Sequence, residues 1–132
     1  MRRAYGSVTS RVRLGQWGER QARLYLEAEG YGIVAANFRC RAGEMDIVAI
    51  ECDELVFVEV KTRRGDAYGQ AEESISSVRA GRLVTVAEEF LQSRSAFPYD
   101  SETPWRIDLV CVNLDSSGRL LNINHIRHAV EF

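Results

Sequence analysis

Four charged residues lie on two neighbouring β-prone runs in the middle of the chain. Glu44 and Asp46 are on the first run, and Glu59 and Lys61 are on the second. Because side chains two residues apart on a strand share a face, each pair points to one side of its strand. Three carboxylates and an ammonium on one face are groups that could hold a metal ion and activate a bound water. These four residues are the first candidates for chemistry.

The polar stretch at residues 51–54 separates the two runs and predicts that they form an antiparallel hairpin. If the turn falls between its two central residues, Asp46 lies opposite Glu59 and Glu44 lies opposite Lys61. The second pair is attractive, whereas the first sets two carboxylates against each other on otherwise apolar strands. A divalent cation would relieve that repulsion. Oxygen-only ligands favour Mg²⁺ or Mn²⁺ over Zn²⁺, which more often recruits His or Cys.

Lys61 is the single lysine in a chain whose other sixteen cationic side chains are arginines. A compact ammonium and a planar guanidinium are not equivalent in a tight site, so its presence beside carboxylates indicates a specific role. Chance is the alternative. With Glu44 and Glu59 nearby, we expect Lys61 to orient water or stabilise charge rather than to abstract a proton.

Glu19 extends the set of candidates. Apolar residues recur at three- and four-residue steps over 15–29 and predict an amphipathic helix that ends before Gly30. Glu19 falls on or beside the apolar stripe, where a charged residue is uncommon. An ordinary boundary glutamate, or an ion pair with Arg23 at i+4, is an equally good interpretation.

The elements that must position these residues follow in the order αβββαββ. Sequential hairpin strands and a crossover after the second helix predict a mixed β-sheet flanked by helices, in the α/β class bordering on α+β. A serine at 76 or 77 could cap the second helix, and a loop is predicted over 63–74. The predicted helices and strands cover 15–29, 31–39, 44–50, 55–61, 76–92, 105–114 and 120–128.

The chain has 132 residues, of which 45% are hydrophobic, and this fits one domain with one core. We expect a flexible basic arm over 1–13 and a single domain over 14–132. The net charge of −2 excludes a protein held to nucleic acid by overall basicity. Up to Arg41, however, eight arginines stand against three acidic residues. This basic third could follow a phosphate backbone, or it could be ordinary solvated surface.

Three further features bear on location and redox state. No apolar run reaches the roughly 20 residues of a membrane-spanning helix, and the first residues lack the apolar centre of a secretory signal. We therefore expect a cytoplasmic protein without a membrane partner. The three cysteines are widely spaced, so a zinc pattern or disulfide framework is not expected, and packing is the better explanation for them.

Residues 43–49 (GEMDIVA) and 56–63 (VFVEVKTR) resemble the YraN-like family of uncharacterised bacterial proteins, within the PD-(D/E)xK nuclease superfamily. The resemblance also takes in 15–19 (GQWGE), 37–39 (NFR) and 106–110 (RIDLV), and it covers most of residues 15–128. The chain departs from the superfamily name at Met45, where the name has proline.

The resemblance implies a restriction-endonuclease-like αβββαβ core and a metal-dependent endonuclease. It places the metal-binding carboxylates at Asp46 and Glu59 and the active-site lysine at Lys61. In the mechanism that we expect, the backbone carbonyl of Val60 is a further ligand of the ion. Glu19 resembles the extra helix glutamate of archaeal Holliday-junction resolvases. The cofactor implied is Mg²⁺ or Mn²⁺. The implied partners are nucleic acid, DNA before RNA and including branched DNA, and a second copy of the chain in a homodimer.

Arginines that follow the site in sequence are candidates for phosphate contacts, although solvated surface is the better explanation for any single one. They are Arg63, Arg64, Arg79 and Arg82. Two other functions fit the same residues. A non-catalytic nucleic-acid-binding module would keep the fold and use the arginines alone. An assembly factor would use the charged hairpin face as a contact between subunits.

Overall fold

The computed structural model describes residues 8–65 and 74–132. Its elements follow the predicted order αβββαββ, with a short 3₁₀ helix, Arg94–Ala96, after the second α-helix. The elements are α1 (Val8–Ala28), β1 (Gly32–Cys40), β2 (Gly43–Glu51), β3 (Glu54–Arg64), α2 (Ser77–Gln92), β4 (Trp105–Leu114) and β5 (Leu120–Ile126).

One five-stranded sheet has the order β1-β2-β3-β4-β5. All neighbouring pairs are antiparallel except β3 and β4, which run parallel from Leu55↔Trp105 to Arg64↔Leu114. The parallel pair follows from α2, since a parallel neighbour requires a crossover connection rather than a hairpin. The sheet is therefore mixed, and the α/β architecture is consistent with a restriction-endonuclease-like core.

The two long helices cover opposite faces of the sheet. On one face Ala22 and Leu26 of α1 pack with Val56 and Val58 of β3, and on the other face α2 packs around Phe57. The α2 side chains buried there are the predicted ones, Leu83, Val86, Ala87, Phe90 and Leu91. None of the helices in the described ranges is long and apolar enough to span a bilayer.

The helix ends carry the predicted caps. Gly30 adopts φ +96°, and its N–H donates to the carbonyl of Glu27 as α1 ends. At the start of α2 the hydroxyl of Ser76 accepts from the N–H of Arg79 at 3.2 Å. The cap fixes the first turn of α2, which carries a residue of the site described below.

Some boundaries differ from the predicted ones. Helix α1 begins at Val8 rather than at residue 15, because residues 8–14 contain no proline or glycine to stop it. The helix thus includes the second half of the predicted arm, and residues 1–7 lie outside the described residues. Strand β3 continues to Arg64 because β4 pairs with it that far. Most of the predicted loop, 66–73, lies outside the described residues. Strand β5 ends two residues early, before His128 at φ +51°.

Candidate active site

The candidate site lies where β2 and β3 separate. The two strands pair from Glu51↔Glu54 to Ile47↔Val58, in the predicted register. Their turn, Cys52 and Asp53, has positive φ at both positions (47° and 69°), as in a two-residue type I′ hairpin. Beyond the last pair, β2 bonds to β1 through residues 43–45 and β3 bonds to β4 through residues 59–64. The strands therefore part between Asp46 and Glu59.

Asp46 reaches across this gap. Its Oδ2 accepts a hydrogen bond from the backbone N–H of Val60 at 2.8 Å. Burial raises the pKa of Asp46 to about 7, and the nearby carboxylates of Glu59, Glu19 and Glu44 also raise it, while the Val60 hydrogen bond lowers it. A cation placed at Asp46 would favour its charged form, so the residue is suited to binding a positive ligand.

Glu59 has one oxygen paired and one unpaired. Both Nε and Nη2 of Arg79 donate to its Oε2, at 3.1 and 2.8 Å. Its Oε1 is buried and has no hydrogen-bond partner among the described residues, and the residue as a whole is only 7% exposed. A buried carboxylate oxygen without a donor is unfavourable. Glu59 Oε1 is thus an atom that a bound cation would satisfy.

Glu19 of α1 lies in the same cleft as Asp46 and Glu59. Its pKa is raised by burial and by Glu44, and lowered by hydrogen bonding with Asp46. With its amide nitrogen turned towards the carboxylates, Asn37 donates to Glu19 Oε1 and to Glu44 Oε2, both at 3.1 Å. Among the described residues Glu19 forms no ion pair with Arg23, so that interpretation of Glu19 is wrong.

The helix can deliver Glu19 because α1 approaches β3 closely at the preceding residue. A Cβ added at Gly18 would overlap the hydroxyl of Thr62 on β3. Glycine is therefore required there for the close approach. Gly15, one turn earlier, has no described atom within 4 Å of its own Cβ position. Of these two glycines of α1, only Gly18 makes the close contact with β3.

The predicted ion pair between Glu44 and Lys61 is wrong. Glu44 Oε2 lies 3.6 Å from Nε of Arg39, its direct neighbour on β1. Lys61 Nζ instead donates to the backbone carbonyl of Ser74 at 2.9 Å. The physical reason is the divergence of the strands, since β2 and β3 have already taken other partners at residues 44 and 61.

The structure brings together some of the predicted site residues in one cleft of about 430 Å³, here called the acidic cleft. Its walls include Glu19, Asp46, Glu59, Val60 and Arg79. Lys61 lines an adjoining cleft of about 480 Å³ that shares Glu59 and Arg79 with it. All four predicted catalytic residues and Val60 therefore line one continuous region at the open end of the hairpin.

The four arginines have different surroundings. Arg79 is the partner of Glu59, because the capped first turn of α2 directs it there, and its contact with phosphate stays a prediction. Arg64 is exposed and its Nη2 lies 3.4 Å from the carbonyl of Ser116. Arg63 is half-buried on β3, and Arg82 is exposed on α2. Neither Arg64 nor Arg82 lines the acidic cleft.

The described residues fit a hard cation better than a zinc ion. Across residues 8–65 and 74–132, no group of three or more His, Cys, Asp or Glu side chains is arranged to hold an ion. The cleft is lined by Asp46, by Glu59 with its unpaired Oε1, and by Val60, whose backbone carbonyl is the third candidate ligand. Mg²⁺ is commonly held by one or two carboxylates with water completing its coordination, so two carboxylates with a backbone carbonyl form a sufficient protein ligand set.

A second polar cluster lies on β4 and was not assigned a role from the sequence. The fully buried Asp108 accepts from Arg106 Nε at 2.9 Å and from the backbone N–H of His128 at 3.0 Å, and its Oδ2 lies 2.8 Å from His125 Nε2. Arg106 also pairs with Glu51 and Glu54 at the closed end of the hairpin. The cluster fastens the hairpin to β4 and β5, which gives the histidines a structural role.

The observed roles of two residues of the site were not predicted from the sequence. Asn37 was noted only within the segment 37–39, and its role in bridging two glutamates depends on its left-handed backbone, φ +55°. Arg79 was predicted to contact phosphate, and its ion pair with Glu59 was not predicted. An asparagine between the apolar residues Ala36 and Phe38 on a predicted strand is the signal that could have identified the first of these residues.

These features define an α/β protein with a mixed five-stranded sheet, one long helix on each face, and carboxylates gathered where two strands part. The chain belongs to the uncharacterised protein family UPF0102, whose sequence profile matches residues 18–112. The matched region contains Glu19, Asp46, Glu59 and Lys61.

Relatives from several bacteria carry the same family name. A UPF0102 protein of Roseiflexus castenholzii is 46% identical over 121 residues, which is 92% of this chain and 95% of the relative. One from Chloroflexus aurantiacus is 43% identical over 122 residues, 92% of this chain and 96% of the relative. One from Syntrophus aciditrophicus is 39% identical over 111 residues, 84% of each chain. The similarity thus extends over most of the length of this chain and of each relative.

Proposed function

We propose that this protein is a metal-dependent nuclease that hydrolyses phosphodiester bonds of nucleic acid at the acidic cleft. The observation that carries the proposal is Glu59 Oε1, a buried carboxylate oxygen without a donor among the described residues, in the same cleft as Asp46. A binding surface for phosphate gains nothing from such carboxylates, because they repel it. Only with a cation present does the cleft become attractive to a phosphodiester.

Asp46, Glu59 and the backbone carbonyl of Val60 would hold Mg²⁺ or Mn²⁺. The ion when bound supplies positive charge that lowers the pKa of a water and stabilises charge on a phosphoryl oxygen. In the overall hydrolysis a water oxygen bonds to phosphorus while the bond to one ester oxygen breaks. The water loses a proton to solvent, and the leaving oxygen takes one up.

The chain's own residues prepare the cleft for this reaction. The two donors of Arg79 hold Glu59 Oε2 and leave Oε1 for a ligand. The N–H of Val60 fixes Asp46 Oδ2, and Glu19 lines the same cleft from the α1 side. Lys61 shares a strand face with Glu59, and its ammonium would offset charge that develops on the phosphoryl group. Charged groups held in position before the substrate arrives supply most of the rate enhancement in many phosphoryl-transfer enzymes.

The substrate we propose is DNA ahead of RNA, with branched or structured DNA included, acted on in the cytoplasm. This part rests on the resemblance to the PD-(D/E)xK superfamily and on the helix glutamate Glu19. A homodimer would present two acidic clefts related by a two-fold axis, as symmetric cleavage of two strands requires. Arg63, Arg64 and Arg82 are the proposed phosphate contacts outside the cleft.

A second candidate function is a non-catalytic nucleic-acid-binding module. The specific observation in its favour is that Arg79 already compensates the charge of Glu59 without any ion. In such a module the carboxylates would be structural and the ion pair permanent. The same variants distinguish the two functions, because a binding module does not require Asp46 or Lys61.

The test is Mg²⁺- or Mn²⁺-dependent cleavage of branched, single-stranded and duplex DNA and RNA by the wild type, Asp46→Asn and Lys61→Ala. Arg94→Ala, which removes an exposed cation outside the acidic cleft, is the control. We expect cleavage by the wild type and the control and at least a ~100-fold loss in both site variants. Equal cleavage by Asp46→Asn and the wild type, or no cleavage of any substrate, would contradict the nuclease.

A further inference from the structure

We infer that a second cleft, between α1 and the edge strand β1, binds the phosphate backbone of the DNA strand that leads to the acidic cleft. This inference rests on the proposed function. The α1–β1 cleft has a volume of about 360 Å³. Gln16, Arg20 and Arg23 of α1 and Asn37 of β1 line it, and Glu19 and Asp46 lie where it meets the acidic cleft.

The α1 residues that line this cleft form one continuous stripe along the helix. Gln16, Arg20 and Arg23 recur at i, i+4 and i+7, so all three side chains lie along one side of α1. Seven residues of helix rise by about 10 Å. That length corresponds to about three base steps at ~3.4 Å each, enough to follow successive phosphates. The wall therefore offers an amide and two guanidinium groups in a row along one strand.

The two arginines of this wall are not paired with carboxylates of the described chain. Both are exposed, and neither forms an ion pair within residues 8–65 and 74–132. Glu19, which could pair with Arg23 one turn away, instead accepts from the amide nitrogen of Asn37. Arg39, Arg79 and Arg106 contrast with them, since each lies within 4 Å of a carboxylate oxygen. Arg20 and Arg23 thus can accept an anion from outside.

The position of the cleft decides which anion suits it. Asp46 and Glu19 line both the α1–β1 cleft and the acidic cleft, so the two are continuous. A single phosphate would need only the cationic rim, which is formed by Arg20 and Arg23. A polyanion held by that rim would in addition present its next phosphodiester to Asp46 and Glu59. A DNA strand is the ligand that would contact both the cationic rim and the place where the two clefts meet.

The test is binding of a fluorescently labelled single-stranded DNA in EDTA, measured by anisotropy over a range of salt concentrations. The double variant Arg20→Gln/Arg23→Gln is compared with Arg94→Gln/Arg119→Gln, which removes the same charge at exposed positions elsewhere. We expect the first to bind at least ~10-fold more weakly and to lose about 1.4 from the slope of log K against log salt, about 0.7 for each phosphate contact. Arg20→Lys/Arg23→Lys should keep most of the slope.

The inference is overturned if the wild type does not bind, if both glutamine variants lose equal affinity, or if Arg20→Gln/Arg23→Gln keeps the wild-type slope. Circular dichroism must show the same fold for all the variants. Because the measurement contains no divalent ion, it does not depend on hydrolysis. If the wild type cleaves no substrate but Arg20→Gln/Arg23→Gln shows the predicted loss of binding, the nuclease activity alone is refuted. If the wild type cleaves DNA but its affinity does not depend on Arg20 and Arg23, DNA binding at the α1–β1 cleft alone is refuted.

Discussion

Gly18 of α1 lies so close to Thr62 of β3 that a Cβ at Gly18 would overlap the threonine hydroxyl. This contact determines how near Glu19 comes to Asp46. We therefore expect Gly18→Ala to lower the free energy of unfolding by about 1–3 kcal/mol, since the helix must shift away from the strand. The change is measured by urea denaturation of the metal-free protein.

Gly15 on the same helix is the matched control. No described atom lies within 4 Å of its Cβ position, so Gly15→Ala should gain up to ~1 kcal/mol from helix propensity. If Gly18→Ala stabilises the protein as Gly15→Ala does, the close approach of α1 to β3 is refuted.

Arg79 compensates the buried charge of Glu59. In Arg79→Gln the carboxylate loses both donors to Oε2, while Oε1 already lacks a donor among the described residues. We expect a loss of about 1–3 kcal/mol in unfolding free energy in EDTA, the typical penalty for an unsatisfied buried group. Added Mn²⁺ should restore part of that loss if Glu59 is a metal ligand.

Arg82→Gln serves as the control for Arg79, because Arg82 is exposed on the same helix. It should change the stability by no more than ~0.5 kcal/mol. Equal stabilities of the two variants would mean that the ion pair of Arg79 and Glu59 does not contribute to the metal-free fold.

Asp46 makes the stability of the metal-free protein depend on pH. Its pKa is about 7 in the folded state against an ordinary value of 3.8, so between these values the folded state holds the proton more tightly than the unfolded state. The contribution of Asp46 to stability is therefore fully present below pH 3.8 and is lost as the pH rises to about 7. Asp46→Asn should remove this part of the pH dependence.

Urea unfolding in EDTA at several pH values between about 5 and 8 would measure the effect. The difference between wild type and Asp46→Asn isolates Asp46 from the other carboxylates. We expect the variant to gain stability over the wild type as the pH rises. A constant difference across this range would show that the pKa of Asp46 is not raised by folding.

Asp108 holds the polar cluster on β4 together. Asp108→Asn removes the charge that Arg106 and His125 contact and should lower the unfolding free energy by roughly 3 kcal/mol. Asp53→Asn is the matched change at the hairpin turn, where asparagine suits the positive φ of 69°. Thermal unfolding of the two variants compares them. Comparable melting temperatures would contradict a clamping role for Asp108.

The hairpin register could be predicted because it depends on local signals. Two β-prone apolar runs joined by a two-residue turn at Cys52 and Asp53 fix which residues face each other, and the structure confirms the pairs from 47↔58 to 51↔54. The buried face of α2 followed from helical periodicity in the same way. Local patterning therefore predicted the elements and their order.

The rest of the site depends on contacts that no local pattern contains. Whether Glu44 meets Lys61 is decided by β1 and β4, which draw the two hairpin strands apart. Arg79 meets Glu59 because a capped helix on the other side of the sheet begins at that point. The position of the Asn37 side chain depends on the left-handed backbone conformation of Asn37 itself, which is unusual within a strand. In each case tertiary packing, rather than residue type, determines the partner.

The tight turn at Cys52 and Asp53 also affects the order of folding. A two-residue connection closes with little loss of loop entropy and forms within microseconds, whereas β4 must wait for the crossover through α2. Asp46 and Glu59 would then meet while Arg79 is still undocked. Their repulsion would oppose the early hairpin, and we expect the ion pair that offsets it to form after the folding barrier. The pairing of Arg79 with Glu59 should thus slow unfolding more than it speeds folding.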